Sequence, residues 1–168
     1  MQQPKVIATR EIAATQEQFH VIEQPETYQI QKIPVTIQAQ YWVPLRADLQ
    51  DQAQYLLPLD DPDYNIQLAY AAFRKAAHYL TPTEMRSARQ HLGLSLRETA
   101  LILGLSYSTL SELETGKILQ NQLQETALEM LLEPAQIQHL VQQRSYQLQQ
   151  KLSAPHYQRI CNKLQLPV

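Results

Sequence analysis

The stretch TPTEMRSARQHLGLSLRETALILGLSYSTLSELETGK, residues 81–117, decides how this chain folds. It carries three helix starts in succession. Thr81-Pro82-Thr83-Glu84 opens the first, with a threonine that can cap, a proline where no N–H is lost, and a glutamate that completes a capping box. Met85, Ala88 and Leu92 then face one way, and Gly93 ends the helix. Ser95-Leu96-Arg97-Glu98 is a second capping box, opening a helix through Leu103. Gly104 supplies a tight turn, and Ser106 caps a third helix that runs to Thr115 before Gly116. Ala100 is small where two helices must cross closely, while Leu103, Leu105, Leu110 and Leu113 fill the core between them.

Two short helices, a glycine turn and a third helix presenting Tyr107, Ser108, Ser111 and Glu112 make a helix-turn-helix geometry, in which the last helix enters a DNA groove. A plain helical bundle can use the same caps, but three caps and two turn glycines in register favour the recognition geometry. The expected nucleic-acid contacts are Arg97, Ser106, Tyr107, Ser108, Thr109, Ser111, Glu112 and Lys117, with Arg89 also available for phosphate. Glu112 can accept a hydrogen bond from cytosine N4, yet is repelled near phosphate.

Composition narrows the class. A hydrophobic share of 44 % with 18 % charge suits a folded soluble chain, and no apolar run reaches the ~20 residues of a membrane span. The start of the chain lacks a secretory signal, so a cytoplasmic protein is expected. Cys161 is the single cysteine, which excludes an internal disulfide and a multi-thiolate zinc site. His20, His78, His91, His139 and His156 have no ligand spacing, so neither a metal nor a cofactor is expected. No nucleophile is paired with a base and no glycine loop cradles phosphate, which argues against an enzyme.

The net charge of −2 hides an asymmetry. Residues 81–133 carry four basic and seven acidic side chains, whereas residues 134–168 carry Arg144, Lys151, Arg159 and Lys163 and no acid. DNA-binding domains are usually basic, so the acidic balance of 81–133 stands against the expected contacts.

Around this centre the chain divides into a small N-terminal β-containing, partner-binding domain (1–62), a connecting helix (63–80), the helix-turn-helix domain (81–133) and C-terminal helices (134–168). The class is α+β, mostly α. Val35, Ile37, Ala39, Tyr41 and Val43 alternate with Thr36, Gln38, Gln40 and Trp42, which is strand periodicity. Thr27 to Ile30 would be the partner strand, with Lys32-Ile33-Pro34 turning between them. Val6 to Ala14 is either a strand or a short helix. Trp42, Tyr28, Tyr41, Tyr55 and Tyr64 are the expected core of this part. Asp63 or Asn65 would cap the connecting helix, whose stripe is Ile66, Ala69, Tyr70, Phe73, Ala76 and Ala77. Pro134 opens a helix carrying Ile137 to Leu152, and a second runs from His156 to Leu164.

The run GLSLRETALILGLSYSTLSELETGK resembles the core of Xre/Cro-type regulators. More widely, AYAAFRKAAHYLTPTEMRSARQHLGLS, the following ALEMLLEPAQIQHLVQQ and the hairpin ETYQIQKIPVTIQAQY resemble antitoxins of the MqsA/YgiT type and their Panacea-associated relatives. The resemblance implies a toxin-holding N-terminal domain and a homodimeric operator-binding module. Members usually tie that first domain with two Cys-x-x-Cys pairs on zinc, and this chain has none. Xre-type proteins also commonly carry Gln and Arg where Leu96 and Glu112 stand here.

Three functions are therefore expected in competition. The first is an antitoxin that neutralises a cognate toxin through Tyr41, Trp42, Arg46 and Tyr55 and represses its own operon on operator DNA. The second is a stand-alone transcription regulator. The third is a protein-interaction module that has lost DNA binding.

Overall fold

The computed structural model describes residues 4–167. Among them lie a three-stranded antiparallel sheet and eight α-helices, an α+β chain that is mostly α. Contacts divide the chain into two compact units, Met1–Ala77 and His78–Val168.

The first unit is built on strands β1 (Lys5–Ile12), β2 (Glu17–Ile30) and β3 (Ile33–Pro44), in that order. The undecided segment after Val6 is thus a strand. The hairpin is longer than its periodicity suggested, because β2 begins ten residues before Thr27. The expected turn at Lys32-Ile33-Pro34 is displaced to Gln31-Lys32. Both have positive φ, 48° and 69°, the two-residue geometry whose twist matches the strands. Ile33 and Pro34 instead pair with Ile30 and Gln29. Pro34 is tolerated because β3 is an edge strand, and Pro25 lies beyond the last β1–β2 pair, Lys5–Glu23.

Helix α1 (Tyr64–Ala77) packs on β3 within this unit. Ile22, Val35, Ile37, Ala39 and Val43 are buried, as are Ala69 and Phe73 of the helix. Trp42 points to the opposite face, where it joins Phe19 and Val21. The four tyrosines expected in the core are only half-buried. Their hydroxyls seek polar partners, so aliphatic residues take the interior instead. Fully burying an Ile, Val or Phe contributes roughly 1.5–3 kcal/mol. Asn65 does not cap α1. Its side-chain amide accepts from Gln40 N at 2.8 Å and donates to Gln40 O at 2.8 Å, completing the outer edge of β3. Leu56 covers the next edge position by exchanging two 2.9 Å hydrogen bonds with Trp42.

The second unit holds α2 (Pro82–His91), α3 (Leu96–Leu103), α4 (Tyr107–Thr115), α5 (Gln122–Glu129), a 3-10 turn (Met130–Leu132), α6 (Pro134–Gln143), α7 (Ser145–Lys151) and α8 (Ala154–Lys163). They share one core, in which Met85, Ile102, Leu110 and Leu113 meet Ile137, Val141 and Ile160. The single helix expected from Pro134 to Leu152 is divided at Arg144. That break leaves Arg144 Nη1 to donate to the Ile102 carbonyl at 2.8 Å, while Leu148 stays in the core. No helix among the described residues is long and apolar enough to cross a membrane.

Candidate nucleic-acid interface

The recognition helix is positioned by its caps. Thr81 and Ser95 both form complete capping boxes with Glu84 and Glu98, and Ser106 Oγ accepts from Thr109 N at 3.0 Å. Each such cap contributes about 1 kcal/mol and sets where a helix begins. Gly104 closes α3 at φ 76°, and Gly116 closes α4 at φ 78°, a backbone region that penalises any side chain. Leu105 N reaches back to the Ala100 carbonyl at 2.8 Å, which makes the α3–α4 turn tight.

The predicted contact residues fall into two groups. Tyr107, Ser108 and Glu112 are exposed, and Ser111 and Thr109 are half-exposed, so α4 presents them outward, and Lys117 is exposed just beyond its end. Arg97, also exposed, places its guanidinium 5.6 Å from the centre of the Tyr107 ring, joining the first turns of α3 and α4. Ser106 is differently occupied. Its hydroxyl serves the Thr109 amide and also meets Ser108 Oγ at 2.9 Å and Thr109 Oγ1 at 2.8 Å. It organises the helix start, in bonds shared with the Ser108 and Thr109 hydroxyls.

Arg89 is a correction. It grips Glu114 through two hydrogen bonds of 2.6 and 2.7 Å and donates to the Leu94 carbonyl at 3.0 Å, so it is unavailable to phosphate. Glu114 is itself buried, and its hydrogen bonds raise the Arg89 pKa further above its ordinary value.

Charge along the sequence therefore misstates the surface. Of the seven acids in 81–133, Glu98, Glu114 and Glu125 are buried. Glu125 accepts from Leu80 N at 2.7 Å and from Gln120 Nε2 at 2.9 Å, anchoring the start of α2 to α5. Glu98 receives Lys163 Nζ at 2.8 and 2.9 Å, and His156 Nε2 stands 3.4 Å away. Burial alone would raise the Glu98 carboxyl. Lys163 and the amide and hydroxyl of Ser95 outweigh it and hold the carboxyl down at about 2. The basic partners of Glu98 lie 58 and 65 positions away in the chain, and no local pattern announces them.

On the first unit, the four residues expected to hold a protein partner are not one patch. Tyr41 and Tyr55 stack with ring centres 5.4 Å apart. The Tyr41 hydroxyl donates to Glu26, and burial followed by that carboxylate raises its pKa. Tyr55 donates to the Leu49 carbonyl at 2.7 Å. Trp42 is enclosed against Phe19, with 6 % exposure. Arg46 is exposed at a cleft of about 580 Å³ lined by Glu17, Phe19, Leu45 and Leu56.

Among the described residues, no group of three or more His, Cys, Asp or Glu side chains could hold a metal ion. No curated protein and no solved structure matches the chain. Residues 85–130, spanning the capped helices α2 to α5, match the helix-turn-helix family, a DNA-binding module of transcription regulators.

Proposed function

We propose that this chain is an antitoxin that binds and neutralises a toxin and represses its own operon as a homodimer, rather than an enzyme. The observation that carries the DNA-reading half is the outward face of α4, where Tyr107, Ser108 and Glu112 stand exposed on a helix fixed at both ends. In a helix-turn-helix such a face enters the major groove, and two copies read half-sites about 34–36 Å apart. Tyr107 and the hydroxyls of Ser108, Thr109 and Ser111 contact DNA, Glu112 selects cytosine, and Arg97 and Lys117 meet phosphate. Burial of Glu98, Glu114 and Glu125 supports this by removing three acids from the surface.

The toxin-binding half rests on the first unit. Leu45, Leu56, Leu57 and Leu59 are exposed, with Leu45 and Leu56 at the same cleft as Arg46, apolar surface suited to a protein partner. Tyr41 and Tyr55 as one pair, and Arg46 at the cleft, contact the toxin, while Trp42 packs on Phe19 within the sheet.

The test has two arms. The protein should shift DNA from upstream of its own gene, and the product of a neighbouring gene should co-purify with it and be toxic alone. Upstream binding without a toxic neighbour would leave a stand-alone regulator. Toxin binding without any DNA shift at low salt would leave an interaction module, the outcome that the exposed carboxylate of Glu112 favours.

A further inference from the structure

The basic residues of the C-terminal segment divide by what they touch. Arg144 is committed to the Ile102 carbonyl, and Lys163 to Glu98. Glu98 sits in the first turn of α3, one residue after Arg97. Lys163 and His156 both reach it from α8, so α8 lies across the beginning of α3. At about 100° per residue, positions 156, 159 and 163 fall within about 60° of arc on one helix face. Arg159 therefore stands beside His156 and Lys163 on α8, and it is exposed. His156 and Lys163 thus hold α8 to the buried Glu98 in the first turn of α3, the same turn from which Arg97 reaches over the Tyr107 ring.

We infer that α8 extends the DNA-binding surface, with Arg159 contacting the phosphate backbone that flanks the groove occupied by α4. This rests on the DNA-reading function proposed above and adds a site outside the segment 85–130 that matches the helix-turn-helix family. The chemistry is charge neutralisation. The segment 81–133 is net −3, and with Lys163 committed to Glu98 the cation that α8 brings to it is the exposed Arg159. The Glu98–Lys163 contact positions the helix; Arg159 delivers the charge. A guanidinium suits this because it can donate to phosphate through two parallel hydrogen bonds.

The experiment is a salt titration of the full chain on the duplex upstream of its own gene and on a scrambled duplex of equal length. Arg159→Gln should weaken binding to both duplexes alike, about three- to tenfold near physiological salt. It should also flatten the slope of log affinity against log salt by about 1. Arg159→Lys should restore the slope, and the melting temperature of both variants should stay at the parent value. An unchanged slope in Arg159→Gln, with the parent still binding DNA, would overturn the α8 contact and leave the α4 function intact. A parent chain that binds neither duplex at low salt would overturn both. A Ser111→Ala control separates the two roles, because it should reduce discrimination between the duplexes without altering the slope.

Discussion

Arg89 and Glu114 are joined by two hydrogen bonds of 2.6 and 2.7 Å, and through them the recognition helix α4 is tied to α2. Arg86 adds a bond of 2.9 Å to the Glu114 carbonyl. Removing Glu114 leaves the half-buried Arg89 without its carboxylate, and removing Arg89 leaves the buried Glu114 with only the longer 3.7 Å contact to Arg86. Breaking such a pair costs about 3–5 kcal/mol. Arg89→Met and Glu114→Gln should each destabilise the second unit on that scale in urea denaturation. The double change to Met and Leu should recover much of the loss, since an apolar pair has no charge to strand. Single variants within ~1 kcal/mol of the parent would show that the pair does not hold α4.

Glu98 makes stability depend on acid. Its carboxyl is held at about 2 in the folded chain, below the ordinary value of 4.5. Proton release therefore favours the folded state. The contribution is complete above pH 4.5 and is lost as pH falls toward 2. Lys163→Met should shrink that loss, seen as a shallower fall of melting temperature between pH 5 and about 3. An identical pH profile for parent and variant would remove the pair from the account.

The turn between α3 and α4 should resist substitution. Gly104 has φ 76°, and a Cβ there would also approach Arg144 Nη1 at 3.4 Å. Gly104→Ala should cost about 1–2 kcal/mol from the left-handed backbone. Gly104→Asn should cost less, because asparagine tolerates that region. Equal losses for the two would point to crowding by Arg144 instead.

Asn65 should matter more than an ordinary helix-start residue. Both arms of its amide pair with the backbone of Gln40, and the residue is 2 % exposed. Asn65→Ala strands the half-buried N–H and C=O of Gln40, at up to about 1–3 kcal/mol for each group. Hydrogen exchange at Gln40 should accelerate in this variant while exchange in α2 to α8 stays unchanged. Asp at this position accepts but cannot donate, so it should recover only part of the protection.

Glu112 offers the sharpest separation of functions. It is exposed on α4, so Glu112→Arg should leave stability within about 0.5 kcal/mol of the parent. If the carboxylate reads cytosine, the variant loses discrimination between the upstream and scrambled duplexes while gaining affinity for both at low salt. If the module has abandoned DNA, the variant gains non-specific affinity and loses no native activity.

What residues 81–117 carried on their face was local chemistry: caps at Thr81, Ser95 and Ser106, turns at Gly93, Gly104 and Gly116, and an apolar spacing that turns Tyr107, Ser108 and Glu112 outward. Such features depend on neighbours within about four positions, so a linear chain displays them. Packing across distance was decided only in three dimensions. Arg89 was spent on Glu114, Lys163 on Glu98, Arg144 on Ile102 and Asn65 on Gln40, each across 25 to 65 residues. Charge at the surface is what remains after such pairings are made, because a buried ion must find its partner wherever the fold brings one. The acidic balance of residues 81–133 was therefore a property of the string, and the surface left for DNA was a property of the fold.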